Sequence, residues 1–273
     1  MSRAAGVRLL LLAILVALPL RAMAADIDRL FAAMQVDRLI DVMRDEGLAY
    51  GDSLEQDMLG GHAGPGWAGL VGRIYDTDKM RAVVRAHFAD SFGDADSAPL
   101  IAFFESEAGR ALVEAEIETR EAFMLPGVEE AARALWREAD KATPRQRLIA
   151  DYVEVNGLLE YNVAGALNAN YLFFLGLVEG GAVDMSEEDI LADVWAQEDE
   201  TRHDTREWLF AYLSMAYEDL PPATLEAYVA LSRSAPGRAL NHALFAGFDR
   251  MYGELSLSMG LAVASRMATG EEL

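Results

Sequence analysis

A chain of 273 residues with 45 acidic against 23 basic side chains carries a formal charge of −22 at neutral pH, and it contains no cysteine. That balance disfavours nucleic acid and anionic membrane surfaces, both of which would repel it. The missing thiols exclude disulfides, thiolate metal sites and lipoprotein processing, and with 52% hydrophobic residues the chain has material for one large core or two small ones.

The N-terminus reads as an export address. Arg3 and Arg8 make a positive start, Leu9 to Leu20 is an apolar run, and Ala22-Met23-Ala24 places small residues where signal peptidase needs them. The run falls short of the ~20 apolar residues of a spanning helix, and Pro19 and Arg21 close it. The expectation is a signal peptide at 1–24, cleaved after Ala24, and a periplasmic or secreted product with no stable membrane span. Cleavage removes Arg3, Arg8 and Arg21 and no acid, so the formal charge moves from −22 to −25.

Helical spacing dominates the rest of the chain. In residues 26–43, Ile27, Leu30, Phe31, Met34, Leu39 and Val42 recur at steps of mostly three and four, which predicts one amphipathic helix. Gly60-Gly61 ends a helix and opens the longest irregular piece, "GGHAGPGW" at 60–67, where His62 reads as loop decoration. Gly93 and Pro126-Gly127 are further stops. Thr143, Pro144 and Gln146 then combine an N-cap, a first-turn proline and a capping-box glutamine.

Residues 161–180 form the most apolar stretch, predicted as a core helix. Its small residues Ala164, Gly165, Ala166 and Ala169 would admit a close neighbour, or else form a groove for a partner helix or a lipid chain. Gly180-Gly181 reads as its C-cap, Ser186 to Asp189 as a second capping box, and Pro221-Pro222 as another stop. No alternating strand pattern occurs. The expected fold is all-α with about ten helices.

A shift of 128 residues lays 97–124 on 225–252 without a gap, and seven positions coincide, among them Ser106/Ser234, Gly109/Gly237, Arg110/Arg238 and Leu112/Leu240. A weaker match pairs 36–43 with 155–162. The reading is two pseudo-repeat helical halves packed together, 25–142 and 143–266, followed by a tail at 267–273. In "SAPGRAL" (234–240), Ser234 is placed to cap a new helix with Pro236 in its first turn. Gly237 would admit the preceding helix closely. Arg238 sits near a positive helix end, which predicts a carbonyl or carboxylate partner. The same logic fits Ser106, Gly109 and Arg110.

With "FFESEAGRAL" (103–112) and "ALSRSAPGRAL" (230–240), the chain resembles the domain of unknown function (DUF) 2059 family of exported bacterial helical proteins. That family's recognisable segment is an aromatic or apolar helix end followed by Ser-Pro-x-Gly-Lys or a close variant. The first copy keeps Phe103, Phe104, Ser106 and Gly109 but has Glu107 in the proline's place. The second keeps Ser234 and Gly237, carries its proline one residue later at Pro236, and lacks the aromatic pair. The resemblance implies a periplasmic helical domain and carries over no catalytic residue.

Candidate chemistry is sparse. Glu200 and His203 have the Glu-x-x-His spacing of helical di-iron sites, but no second copy of that motif exists. Interleaved with Arg202 and Arg206, they read as a solvated helix face. No nucleophile elbow and no phosphate-binding loop occurs. The sequence therefore points to a non-catalytic binding, accessory or chaperone-like factor of the cell envelope, without cofactor, whose partner is an envelope protein or an apolar ligand. The alternatives are a metal-dependent periplasmic hydrolase using Glu200 and His203, and a carrier of apolar ligands.

Overall fold

In a computed structural model, residues 24–270 are described, and among them no strand occurs. The expected signal peptide lies outside these residues but for Ala24. A helical segment at 24–33 (α1) is followed by twelve helices. They are α2 (Val36–Asp57), α3 (Trp67–Ile74), α4 (Thr77–Phe92), α5 (Ala98–Phe104), α6 (Glu107–Phe123) and α7 (Val128–Glu138), then α8 (Pro144–Val155), α9 (Leu158–Glu179), α10 (Glu187–Ala196), α11 (Glu198–Ala216), α12 (Pro222–Arg233) and α13 (Ala235–Gly270).

The count exceeds the expected ten because several breaks carry little sequence punctuation. The stripe at 26–43 is two helices, parted at Gln35, whose φ of 51° lies in the left-handed region. Both stripes face the same core, so the apolar spacing runs on across the break. Gln35 is held there by its side chain, which donates to Glu114 at 2.9 Å. Gln197 is at once the last cap of α10 and the first of α11, with no glycine or proline to announce it. At the C-terminal end, α13 continues through 267–270, which the sequence pattern assigns to a tail.

The strong punctuation holds. The longest irregular stretch among the described residues is the loop before Trp67, where Trp67 Nε1 donates to the Gly51 carbonyl at 3.0 Å. Ser186 and Asp189 form a complete capping box. Thr143 caps α8 by accepting from the Gln146 amide. The Gln146 side chain does not complete a box there, because it donates to Ser214 Oγ at 2.9 Å instead.

Two apolar clusters form the interior, and neither coincides with half of the chain. The larger joins α1 to α6 with α13, through Leu30, Ile40, Val84, Phe88 and Leu100, all fully buried. Burying each of these contributes about 2 kcal/mol. The smaller cluster gathers α8 to α12 around Ile149, Ile190 and Tyr217, and takes Leu112 from α6. The first core is thus closed by the last helix of the chain, and the second is entered by α6.

Helix α13 packs along both α9 and α4. Glycine makes the α9 crossing possible: a Cβ on Gly260 would stand 2.1 Å from the Phe173 carbonyl oxygen, and one on Gly176 2.5 Å from that of Leu257. The apolar helix at 161–180 is therefore core at its C-terminal end. Its N-terminal end, with Gly165 and Ala166, faces a cavity.

Candidate functional site

The residues singled out by the repeat build two corners of the same geometry. Ser106 caps α6 by accepting from the Gly109 amide at 3.0 Å, while its hydroxyl donates to the Phe103 carbonyl at 2.6 Å. Ser234 does the same at the head of α13, accepting from Gly237 at 3.1 Å and donating to Leu231 at 2.6 Å. A Cβ on Gly109 or Gly237 would lie 2.1 or 2.0 Å from the carbonyl oxygen of Phe103 or Leu231, so only glycine lets the two helices meet. Arg110 and Arg238 have carbonyl partners: each donates through Nη1 to the residue before its serine, Glu105 or Arg233. Pro236 lies in the first turn of α13, where its missing N–H costs little. These residues shape the chain and leave no group free for chemistry.

Glu200 and His203 stand exposed near the start of α11. Among the described residues, no group of three or more histidine or acidic side chains could hold a metal ion. His62 is exposed in its loop.

The structure brings together a different set. Seven helices, α2, α6, α8, α9, α11, α12 and α13, line a half-open chamber of about 500 Å³. Its walls are mainly apolar and aromatic, with Leu39 and Met43 from α2, Trp208 from α11 and Phe245 and Phe248 from α13. Gly165, Ala166 and Ala169 leave the α9 side open, so the small-residue face makes space as well as contact.

Set into these walls are polar groups with few partners. Glu116, on the inner face of α6, accepts a hydrogen bond from the Tyr217 hydroxyl at one carboxylate oxygen and has no cation beside it among the described residues. Burial pushes its carboxyl up to about 7, against the lowering effect of the Tyr217 bond. Around it, Tyr212 donates to the Glu116 backbone carbonyl at 2.7 Å, and the Tyr152 hydroxyl donates to that of Tyr228 at 2.9 Å. Desolvation raises the pKa of Tyr152, Tyr212, Tyr217 and Tyr228, so all four stay neutral.

One turn on, Arg120 is committed elsewhere. It forms a bidentate pair with Glu46 of α2 at 2.7 and 2.8 Å and donates to Tyr252 at 3.2 Å. Burial opposes its charge, but Tyr252 and Glu46 outweigh that and hold it protonated. On the facing helix, Asp249 has neither a hydrogen bond nor an ion pair among the described residues, and burial raises its pKa as well. Its Oδ1 lies where a side chain on Gly165 would reach it at 3.0 Å.

Sequence reading missed Glu116, Arg120 and Asp249 because the chain holds 45 acids and nothing local marks these. The available signal was a charged residue at a core-facing step of an amphipathic helix. A larger groove of about 660 Å³ lies between α7 and α11, beside the exposed Leu135, but no desolvated carboxyl lies among its lining.

Residues 78–138 match the model of a family described as Uncharacterized protein conserved in bacteria (DUF2059), which bears out the resemblance read from the first motif. The matched segment runs from α4 to the end of α7 and contains the first corner together with Glu116 and Arg120; the second corner lies outside it. No curated protein and no solved structure matches the chain.

Proposed function

We propose, on the premise that residues 78–138 belong to the DUF2059 family, that this chain is an exported, non-catalytic binding protein of the bacterial cell envelope that holds a small amphiphile in its central chamber. The observation that carries the reading is the chamber itself. It is a half-open, mainly apolar space of about 500 Å³ with a few convergent polar groups, among them desolvated carboxyls. That combination is the usual character of a ligand site. The signal-peptide pattern at 1–24 supports export to the periplasm or beyond. Among the described residues no helix is long and apolar enough to cross a membrane. The metal-hydrolase alternative draws no support from Glu200 and His203, which lie exposed without a third ligand among the described residues.

The same reading takes the architecture as a duplicated helical unit with two copies of the corner motif. Its support is the matching of the two corners and the reciprocal placing of α6 and α13 against the opposite core. A charge-reversed ion pair adds to it. Glu105, just before Ser106, pairs with Arg29, and Arg233, just before Ser234, pairs with Asp151. The chamber then lies where the two units meet.

Native mass spectrometry of the chain purified from its own host tests this reading. The expected mass is that of residues 25–273 plus one bound organic molecule, and an Ala166→Trp variant, which fills the chamber, loses the added mass. A chain that retains 1–24, or one that carries no ligand in either form, would overturn it.

A further inference from the structure

The charged groups on the chamber wall that lack an opposite charge among the described residues are both carboxylates, Glu116 and Asp249. Asn162 and Asn241 each spend one of their two amide N–H groups on a backbone carbonyl, that of Leu158 and that of Asn156, both at 2.7 Å. Only an amide nitrogen can make those bonds, so the orientation of both side chains is settled. Their Oδ1 atoms accept no hydrogen bond from the described residues. The one cation on the wall among the described residues, Arg120, is neutralised by Glu46. Tyr228, Trp208, Phe245, Phe248 and Tyr252 supply aromatic surface to the same space, and ring faces attract cations. An anionic headgroup would meet two carboxylates, whereas a positive group with N–H donors would pair with them.

We propose that the chamber takes an organic ammonium ion with an apolar body, its N–H groups directed to the carboxylates of Glu116 and Asp249 and its hydrocarbon laid against the aromatic walls. This deepens the reading of the chamber as a ligand site and rests on it. The strongly negative chain favours the approach of such a ligand by its overall field.

Binding is pH-dependent with a definite sign. Glu116 is faced by Tyr212 on α11, Tyr217 just after it, Tyr152 on α8 and Tyr228 on α12, all neutral. Beyond them stand the Arg120–Glu46 pair with Tyr252, and Asp249 across the space. As pH falls through about 7, Glu116 gains a proton and loses its attraction for a cation, while an alkylammonium stays charged. Affinity therefore falls on acidification.

The test is calorimetric titration of the folded full chain with three probes of one chain length, n-octylammonium, octanoate and 1-octanol, near pH 8 and near physiological salt. Octylammonium is expected to bind at one site, roughly tenfold or more tighter than either other probe, and to weaken by about tenfold near pH 5.5. Glu116→Gln, which preserves an acceptor for Tyr217, and separately Asp249→Asn each remove most of that preference and leave 1-octanol unchanged. Glu188→Gln with Asp193→Asn, on the exposed face of α10, removes twice that charge away from the chamber and leaves all three titrations as they were. Octanoate binding as tightly as octylammonium would overturn the cation assignment and leave the ligand site standing, as would an α10 double variant that weakens binding as much as Glu116→Gln. If none of the three probes saturates, or if Ala166→Trp binds them all unchanged, the chamber is not a ligand site and both proposals fall.

Discussion

The helices launched from the two corners, α6 and α13, begin alike and then diverge. Each starts from a serine cap, a glycine pressed against the preceding helix and an arginine turned back to a carbonyl. Ten and fourteen residues beyond the serine, both helices reach the chamber wall. α6 places Glu116 and Arg120 there, and α13 places Leu244 and Phe248. The corner sets the direction and phase of a helix, so equal corners deliver equal positions to the interior. What stands at those positions is free to differ, and here one wall carries Glu116 and Arg120 where the other carries Leu244 and Phe248.

The sharpest way to break this comparison is to fill the corner glycines. Gly237→Ala forces a Cβ into the Leu231 carbonyl, and because α13 packs on both α9 and α4 the displacement spreads. A loss of about 3 kcal/mol in denaturant unfolding is expected. Gly109→Ala meets the same clash at Phe103 on a helix half as long, and about 2 kcal/mol is expected. Equal losses would show that the corner alone, not the helix it launches, sets the cost.

A middle-sized effect separates the two chamber walls. Arg120→Met leaves Glu46 without its bidentate partner in a partly buried place, at a cost of about 2 kcal/mol. Phe248→Leu, at the matching position, only trims apolar volume and costs about 1 kcal/mol. Thermal or denaturant unfolding of the two variants side by side measures the gap, and a smaller loss for Arg120→Met would mean the ion pair adds no net stability.

The smallest effect sharpens the likeness. Ser106→Ala and Ser234→Ala each remove one N-cap, and each is expected to lose about 1 kcal/mol. A loss confined to one of them would end the equivalence of the corners.

Much of the fold could be read in the chain because helix signals are local. Apolar steps of three and four, a serine before a glycine-containing first turn, and glycine pairs after an apolar run each act within a few residues. That is why the caps at Thr143, Ser186, Ser106 and Ser234 stand where the sequence put them. Where a break depends on distant contacts it left no local mark. Gln35 turns left-handed with its side chain tied to Glu114, and the sequence around it reads as unbroken helix. Gln146 follows the same rule, drawn from its expected capping role by a serine 68 residues away.

The sequence by itself thus determined helix content, most of the punctuation, the two matched corners and the charge that sets which partners approach. Tertiary structure alone decided that α13 closes the first core, that glycines at 176 and 260 meet, and that the chamber forms where α6, the N-terminal end of α9 and α13 come together. The reason is one of range. A cap or a stripe is an interaction between near neighbours, whereas the environment of Glu116 is built by groups on five other helices and in the turn after α11. The burial that shifts its proton affinity exists only once those elements have packed.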